Sequence, residues 1–478
     1  MYTQVLYLHL RMVGVNYGNT FGDKRLGKRG LELNNGLFIN SVHSIQQIAQ
    51  NRAQQIGFYR FLDNDKVTED SLIKELSNRC NKLCKDKIVL AIQDTTEINL
   101  CSHTNRIDKK SGIGDLADGK NGLGFMIHPS LVVDANSCFP LGFSHIKMWN
   151  REIDMADKHQ RDYKNLPIEE KESNKWPETS KETKDNLTDA KAIIIVQDRE
   201  GDIYEQFAKV PDEKTFLLIR SKNDRRIEDK ESLWKALSQA SVLGHYEVYV
   251  EADKRRKAPA RTAVVEVRCV TASIRRPQNH INKKLPPSIQ LYAIEAKEVK
   301  SEVENPIHWR IVTTWPIEDF TGCICVLQWY TWRWQIEELF RTLKKEGYDI
   351  EACELENPWA IRKLAIMMMD VIIKLMQMRI VYNEPEGDPS PPAETVFTQE
   401  EQQCLKEVIK KYEGNTQKLK NPHTINTLKW AVWSIARLGG WKGYKSQRPP
   451  GMTTLQQGLS KFYDIFNGWE LLKDVCTR

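Results

Sequence analysis

Two aspartates follow short apolar runs in this sequence. The run IVLAI at 88–92 leads through Gln93 to Asp94, and the run AIIIV at 192–196 leads through Gln197 to Asp198. Because binding groups collect at strand ends in mixed α/β sheets, two carboxylates placed there can share divalent metal ions. An aspartate that only caps a strand or begins a turn explains either residue taken singly. The matching context of apolar run, Gln and Asp makes the pair a candidate metal site.

A third candidate lies in the segment YTWRWQIEELFRTLKKEG, which begins at residue 330. At about 100° per residue on one helix, a polar stripe roughly 60° wide forms beside an apolar face. The stripe holds Tyr330, Arg333, Glu337 and Lys344. An exposed helix with ordinary i,i+4 pairs, such as Arg333 with Glu337, is the structural alternative. The hydroxyl group of Tyr330 and the adjacent packed face favour a binding or catalytic role.

These four residues resemble the motif of a known family, the DDE transposases of cut-and-paste bacterial insertion sequences, and within it the YREK class. The class motif is Tyr, two residues, Arg, three residues, Glu, six residues and Lys, and the chain matches it at every spacing. The contexts AIQDTTEINL around Asp94 and VQDREGDIYEQF around Asp198 resemble those of the family's two aspartates. The sequence departs from the family at Gln93, where an acidic residue is usual.

The resemblance extends toward both ends of the chain. The segments NYGNTFGDKRLGKR at 16–29 and GFYRFLDND at 57–65 resemble the family's DNA-end-binding domain. The segment LKWAVWSIARLGGW at 428–441 resembles the region that leads into its dimerisation domain. Double-stranded DNA, as transposon-end inverted repeats and as target, is therefore the implied partner, together with a second copy of the chain in a synaptic complex.

The resemblance implies an enzyme that nicks the 3′ strand, forms and resolves a DNA hairpin, and transfers the strand into target DNA. Asp94, Asp198 and Glu337 would be catalytic and would hold two Mg²⁺ ions per active site, with Mn²⁺ able to substitute. Trp309 would stack on an extruded base, although a core tryptophan is equally compatible with the sequence. The full set of implied DNA contacts is Tyr330, Arg333, Lys344, Trp309, Arg220, Lys222, Tyr246, Arg25, Arg29 and Arg60.

The elements that must position these residues follow from periodicity. The first 85 residues have helical spacing, strand-like runs begin at 87, residues 213–316 are rich in strand signals, and helical spacing returns after 317. A Pro-rich stretch at 384–393 predicts a linker. The resemblance implies an α/β fold: a ribonuclease-H-like catalytic core at 86–380 with a β-rich insertion at 213–316, a helical DNA-end-binding domain at 1–85 and a helical dimerisation domain at 381–478.

Composition restricts the class of protein only weakly. The net charge of +6 and pI near 8.6 are mildly basic. Basic clusters can neutralise phosphates or form a solvated face, and they lie at 254–257, 275–276, 283–284, 344–345 and 410–411. The ten cysteines lack the two-pair spacing of zinc sites, which favours reduced thiols.

No secretory signal is visible, and the most apolar stretch, 364–378, is too short to span a bilayer and contains Asp370 and Lys374. We therefore expect a buried helix there and a cytoplasmic protein without a membrane partner, which the resemblance makes bacterial and nucleoid-associated.

Two other classes of protein remain open at this point. A metal-dependent nuclease or Holliday-junction resolvase on the same fold would share the carboxylates without needing Tyr330, Arg333 and Trp309 together. A decayed transposase or a non-catalytic inhibitor would bind DNA only.

Overall fold

The computed structural model describes residues 17–476 apart from 19, 41, 43, 109–110, 117–121, 154–165, 229–231, 251–258, 300–302, 305, 346, 384–389, 415, 417–418 and 445–446. The basic cluster expected at 254–257 and most of the linker expected at 384–393 lie outside the described residues.

A mixed sheet of eleven strands lies at the centre of the described part of the chain. Its strands are β1 (Ile88–Gln93), β2 (Thr96–Asn99), β3 (Gly114–Asp115), β4 (Leu123–Asp134), β5 (Pro140–Trp149), β6 (Ala192–Gln197), β7 (Thr215–Arg220), β8 (Gly244–Val250), β9 (Arg261–Arg275), β10 (Ser288–Glu298) and β11 (His308–Thr313).

The strand order is β2-β4-β1-β6-β7-β11-β10-β9-β8, and β3 and β5 also pair with β4. The β1–β6 and β6–β7 pairs are parallel and the others are antiparallel. The apolar runs of β1 and β6 are buried almost throughout, as expected of parallel strands covered on both faces. The prediction of strands at 88–92 and 192–196 is confirmed.

The β-rich segment extends the same sheet instead of forming a layer of its own. The segment predicted to be β-rich, 213–316, contains five strands, β7 to β11. β7 is parallel to β6, and β11 pairs with β7, so β8 to β11 continue the sheet outward from the central strands. Alternation of apolar residues predicts a strand but not its neighbour, which is why the sequence did not indicate this continuity. The domain boundaries stay predictions.

Helices cover the sheet and flank it at both ends of the chain. They are α1 (Lys24–Asn40), α2 (Ile45–Ile48), α3 (Arg52–Leu62), α4 (Glu69–Leu83), α5 (Lys175–Asn186), α6 (Tyr204–Lys209), α7 (Leu233–Gln239), α8 (Phe320–Thr331), α9 (Trp334–Lys344), α10 (Pro358–Asn383), α11 (Gln399–Tyr412), α12 (Leu428–Leu438) and α13 (Met452–Cys476).

α10 is the central helix and is buried on nearly all sides. α1, α3, α4, α9, α12 and α13 all pack against it, and it also contacts β5. The buried helix predicted at 364–378 is therefore confirmed. Asp370 in its middle accepts hydrogen bonds from Arg79 Nη2 at 2.7 Å and Asn34 Nδ2 at 3.1 Å. No helix in the described residues is long and apolar enough to cross a membrane.

The single helix expected from residue 330 onward is wrong, because α8 ends at Thr331 and α9 begins at Trp334. The junction is a tight turn in which Arg333 N donates to Tyr330 O at 3.2 Å, an i→i+3 bond. β-Branched and aromatic residues have reduced side-chain freedom in a helix, and Thr331, Trp332 and Trp334 lie at this junction. The polar stripe is consequently divided between two helices, with Tyr330 on α8 and both Glu337 and Lys344 on α9.

Candidate active site

Three neighbouring strands bring two carboxylates and a guanidinium together at their carboxyl ends. Ile92 of β1 is in register with Val196 of β6, so Asp94 and Asp198 follow at equivalent positions. Neighbouring strands lie about 4.8 Å apart. The register between β6 and β7 places Arg220 beside Asp198 in the same way. The parallel register therefore creates the aspartate pair that the sequence predicted.

Asp198 also shapes the turn that follows it. Its carboxylate accepts a hydrogen bond from the backbone N–H of Glu200 at 2.8 Å, at the start of a short 3₁₀ turn, Arg199–Gly201. One carboxylate oxygen of Asp198 therefore caps the turn, as the structural alternative for this aspartate predicted.

Arg333 joins the third carboxylate to the first. Its Nη1 donates to Asp94 Oδ2 at 2.8 Å and its Nη2 donates to Glu337 Oε1 at 2.5 Å. The Arg333 side chain is only 11% exposed, and those of Asp94 and Glu337 are 21% and 36% exposed. Glu337 lies in the first turn of α9, where the helix dipole favours a negative charge. Asp94 and Glu337 therefore share one guanidinium.

The environment of Asp94 makes ionisation unfavourable. Burial raises the pKa of Asp94 from 3.8 to about 6, and Arg333 opposes this shift. The negative charges of Asp198 and Glu337 raise the pKa further, which means that all three carboxylates interact electrostatically. A divalent cation would relieve this repulsion.

The donor chemistry fits a hard divalent cation, since carboxylate oxygens are the ligands that Mg²⁺ and Mn²⁺ prefer. The geometry fits less directly. Among the described residues, no group of three or more His, Cys, Asp or Glu side chains is close enough to hold a metal ion. Arg333 lies between Asp94 and Glu337, so the three carboxylates can converge on a cation only after the guanidinium releases one of them.

An aromatic and cationic group borders the carboxylates. The rings of Trp309 and Tyr330 meet edge to face, with centroids 6.0 Å apart. Arg220 Nη2 donates a hydrogen bond at 3.5 Å to the carbonyl oxygen of His308, the residue before Trp309. Burial raises the pKa of Tyr330, an effect that Arg333 and Arg220 oppose. Trp309, on β11, is half-buried, so its ring packs against Tyr330 while part of the side chain stays accessible.

A structured loop presents Lys222 next to this group. The carboxylate of Asp202, which is fully buried, accepts hydrogen bonds from the backbone N–H groups of Lys222 at 2.8 Å and Asn223 at 2.9 Å. Arg225 forms an ion pair with the same carboxylate at 2.5 Å. The Lys222 side chain itself is exposed. The loop after β7 thus places the positively charged Lys222 side chain near the end of β7, where Arg220 also lies.

Two predicted contacts lie away from the carboxylates. Lys344, in the last turn of α9, is 3.5 Å from Glu351 Oε1, which also accepts a hydrogen bond from Asn99 N at 3.0 Å. Tyr246 lies on the edge strand β8, four strands from β7 or about 19 Å at 4.8 Å per strand. The structure does not bring Tyr246 to the other site residues.

The three predicted N-terminal arginines form a separate set on α1 and α3. Arg25 is 93% exposed and pairs with Asp23 at 3.1 Å. Arg29 pairs with Glu32 at 2.9 Å, and its guanidinium lies against Gly57, where an added Cβ would be 2.8 Å from it. Arg60 is exposed in the last turn of α3.

Sequence reasoning missed the polar residues that support the two aspartates. His128 on β4 is fully buried, and its Nδ1 is 2.9 Å from the hydroxyl of Thr95, the residue after Asp94. Burial lowers the pKa of His128 well below its usual value, so the ring is neutral. Beneath the strand ends, Gln93 and Gln197 are hydrogen-bonded to each other. The repeated Gln-Asp pair was the available signal.

Comparison with known proteins gives a family match at the N-terminus. Residues 18–67 match the family described as transposase DNA-binding, and this segment contains α1, α2 and α3 with Arg25, Arg29 and Arg60. The match covers this N-terminal segment alone, and its description associates these helices with DNA binding.

A solved structure is also similar, the cryo-EM structure of the piggyBac transposase synaptic complex with hairpin DNA. The identity is 9% and the TM-score is 0.33, and the similarity covers 81% of this chain and 73% of that one. Likeness of this degree supports no inference about this chain.

Proposed function

We propose that this chain is a DDE-type DNA transposase of the YREK class, with Asp94, Asp198 and Glu337 as its catalytic carboxylates. One observation carries the proposal. Asp94 and Asp198 directly follow the ends of adjacent parallel strands, and Arg333 links Glu337 directly to Asp94. The transposase DNA-binding match at 18–67 supplies the substrate class.

The central strands support a ribonuclease-H-like core. The order β5-β4-β1-β6-β7 combines antiparallel pairing on one side of β1 with parallel pairing on the other, and both aspartates lie at the parallel strand ends. Helices α5 and α6 both form hydrogen bonds with Gln197 at the end of β6, and α5 also packs on β4 and β5. The strands β8 to β11 then constitute the insertion between Asp198 and Glu337.

The chemistry proposed is in-line displacement at a DNA phosphate. Asp94, Asp198 and Glu337 would hold two Mg²⁺ ions at the strand ends, and the ions would supply positive charge that activates a nucleophile and stabilises the leaving oxygen. Arg333 leaves its carboxylate partners for a phosphate of the bound DNA, because a guanidinium binds phosphate and carboxylate with the same bidentate geometry.

The step that needs an aromatic ring is hairpin formation. A hairpin requires sharply bent DNA and an extruded base. Trp309 offers a face for that base, while Tyr330 and Arg220 contact the phosphate beside it. Two contacts support this placement: the Tyr330 ring meets the Trp309 ring, and Arg220 donates to the carbonyl oxygen of His308, the residue before Trp309. Lys222, Lys344 and Tyr246 are further proposed DNA contacts.

The proposed cut-and-paste complex contains two copies of the chain on paired transposon ends, followed by transfer into target DNA in the bacterial cytoplasm at the nucleoid. The last helix supports a contact between copies, because Leu471 and Leu472 of α13 are 67% and 66% exposed. Arg25, Arg29 and Arg60 would hold the transposon end through its phosphates.

The test is a cleavage assay on a labelled DNA end taken from the inverted repeats that flank the gene. With Mg²⁺, Asp94→Ala, Asp198→Ala and Glu337→Ala should each lose nicking and still bind the end, because carboxylates contact metal and basic residues contact phosphate. Asp185→Ala, at an exposed position on α5, is the matched control. Near-normal nicking by any of the three variants would remove that residue from the site.

The reaction product distinguishes a transposase from the alternative, a simple metal-dependent nuclease. A pre-nicked end with a free 3′ hydroxyl should be joined to target DNA by a transposase and left unjoined by a simple nuclease. The group formed by Trp309, Tyr330 and Arg220 favours the transposase, since nicking alone requires only metal ions, water and an accessible phosphate.

A further inference from the structure

Two buried glutamines directly precede the two aspartates. Gln93 ends β1 and Gln197 ends β6, and both side chains are inaccessible to solvent. They follow the paired residues Ile92 and Val196 in the parallel register. Gln197 Nε2 donates a hydrogen bond to Gln93 Oε1 at 2.8 Å. The two strands that carry the aspartates are thus joined by a side-chain bond one residue before each carboxylate.

The pair belongs to a chain of polar groups that ties four elements together. Gln206 Nε2 of α6 donates to Gln197 Oε1 at 2.8 Å, and Gln197 Nε2 also donates to Ser180 Oγ of α5 at 3.2 Å. Gln206 and Ser180 are both fully buried. Successive side chains of a strand point to opposite faces. The amides therefore lie on the face covered by α5 and α6, and the following aspartates can project to the other.

Stability does not explain this network. Gln93 Nε2 and Gln206 Oε1 are buried and have no hydrogen-bond partner among the described residues. Each such group costs about 1–3 kcal/mol, whereas replacing both partners of a buried hydrogen bond with apolar groups of the same shape can be neutral or stabilising. What an apolar pair lacks is the fixed distance and direction of a hydrogen bond.

The turn after Asp198 packs closely against the side chain of Gln197. A Cβ added at Gly201 would be 2.3 Å from Gln197 Oε1 and 2.8 Å from Gln197 Cβ. Gly201 ends the 3₁₀ turn that the carboxylate of Asp198 begins. The absence of a side chain at residue 201 therefore lets this turn lie directly against the Gln197 amide.

We propose that the Gln93–Gln197 amide pair is a positioning device that sets the spacing of Asp94 and Asp198 for a divalent cation, an inference that rests on the function proposed above. The two glutamines act through the aspartates and touch neither metal nor DNA. Groups that orient metal ligands in this way typically contribute 10- to 100-fold to metal affinity.

The test measures Mn²⁺ binding by titration calorimetry on the DNA-free protein, together with thermal unfolding in EDTA. The variant Gln93→Met/Gln197→Met keeps side-chain volume and removes both amides. It should unfold no lower than the parent protein, while its Kd for Mn²⁺ rises about 10- to 100-fold. Gln377→Met is the matched control, because this buried glutamine bonds Pro140 O far from the aspartates. It should lose stability and keep its Kd.

Gly201→Ala provides an independent route, since its new methyl group displaces the Gln197 amide without altering either aspartate or glutamine. It should weaken Mn²⁺ binding as well. An unchanged Kd in either of the two test variants would overturn the proposal, as would an equal rise in Gln377→Met. If the parent protein bound no Mn²⁺ either alone or in complex with end DNA, the proposed function would fail and this inference with it. If the parent protein bound Mn²⁺ tightly and the variants had the same Kd, the result would reject this inference but not the proposed function.

Discussion

Replacing Asp94 with Asn should make the metal-free protein more stable at neutral pH. The carboxyl group of Asp94 has its pKa raised from 3.8 to about 6 by burial, against the opposing charge of Arg333. An acid with a raised pKa favours the folded state only while it keeps its proton. The stabilising effect is complete below pH 4, where Asp94 is protonated in both states, and is lost as pH rises through 6.

The magnitude follows from the shift. About two pKa units at 1.36 kcal/mol each correspond to roughly 3 kcal/mol by which ionised Asp94 destabilises the folded protein near pH 7. Asparagine has no such ionisation, and Arg333 keeps Glu337 as its partner. The stability difference between Asp94→Asn and the parent should therefore grow from near zero at pH 4 to roughly 3 kcal/mol at pH 7.

The assay is urea unfolding in EDTA at intervals from pH 4 to pH 8. Asp212→Asn is a control with the opposite sign. Burial raises the pKa of Asp212, but hydrogen bonds from Lys184, Lys214 and Thr215 outweigh this and lower it to about 2. Removing that carboxylate should destabilise the protein at neutral pH. A variant at Asp94 that is less stable than the parent at pH 7, or a difference independent of pH, would refute the reasoning.

Three further outcomes follow from the site and its flanks. Arg29→Gln should weaken binding to the transposon end and reduce the slope of log Kobs against log salt by about 0.9 for one lost phosphate contact, so an unchanged slope would count against that contact. Trp309→Ala should retain the first nick and slow hairpin formation about 5- to 150-fold, from roughly 1–3 kcal/mol of lost stacking on a denaturing-gel time course. Equal loss of nick and hairpin would mean that the ring only packs. The Mg²⁺ affinity of the DNA-free protein should fall about tenfold per pH unit below pH 6 and level off above it, because Asp94 must lose its proton to bind metal. A flat calorimetric profile between pH 5 and 7 would contradict the assignment of Asp94.

Local patterns in the sequence were sufficient for the strands that carry the aspartates. The β-branched runs before Gln93 and Gln197 are too apolar for an exposed strand, and the structure buries both between helices. The same reasoning predicted the buried helix at 364–378. Such elements are accessible from sequence because one short segment contains the whole signal.

Partners distant in sequence were not accessible. The spacing of Arg333 and Glu337 predicts their i,i+4 pair, but nothing near either residue indicates that the same guanidinium binds Asp94 as well. Asp370 is a similar case. The sequence indicates Lys374, on the same helix, as its partner, whereas in the structure Asp370 accepts hydrogen bonds from Arg79 and Asn34 of other helices. The break before Trp334 was missed because regular helical geometry was extended through a junction of β-branched and aromatic residues.

The burial of α10 under the N-terminal helices has a consequence for synthesis of the chain. α1, α3 and α4 cover their apolar faces with a helix that ends at Asn383, so they cannot complete their packing while the ribosome is still making the middle of the protein. Roughly 300 residues separate the end of α4 from the end of α10, which is about 15–60 s of translation at about 5–20 residues per second. The segment that matches a DNA-binding family is made before α10 and completes its packing only after α10 has been made. A nascent chain that lacks α10 therefore presents no finished surface for DNA.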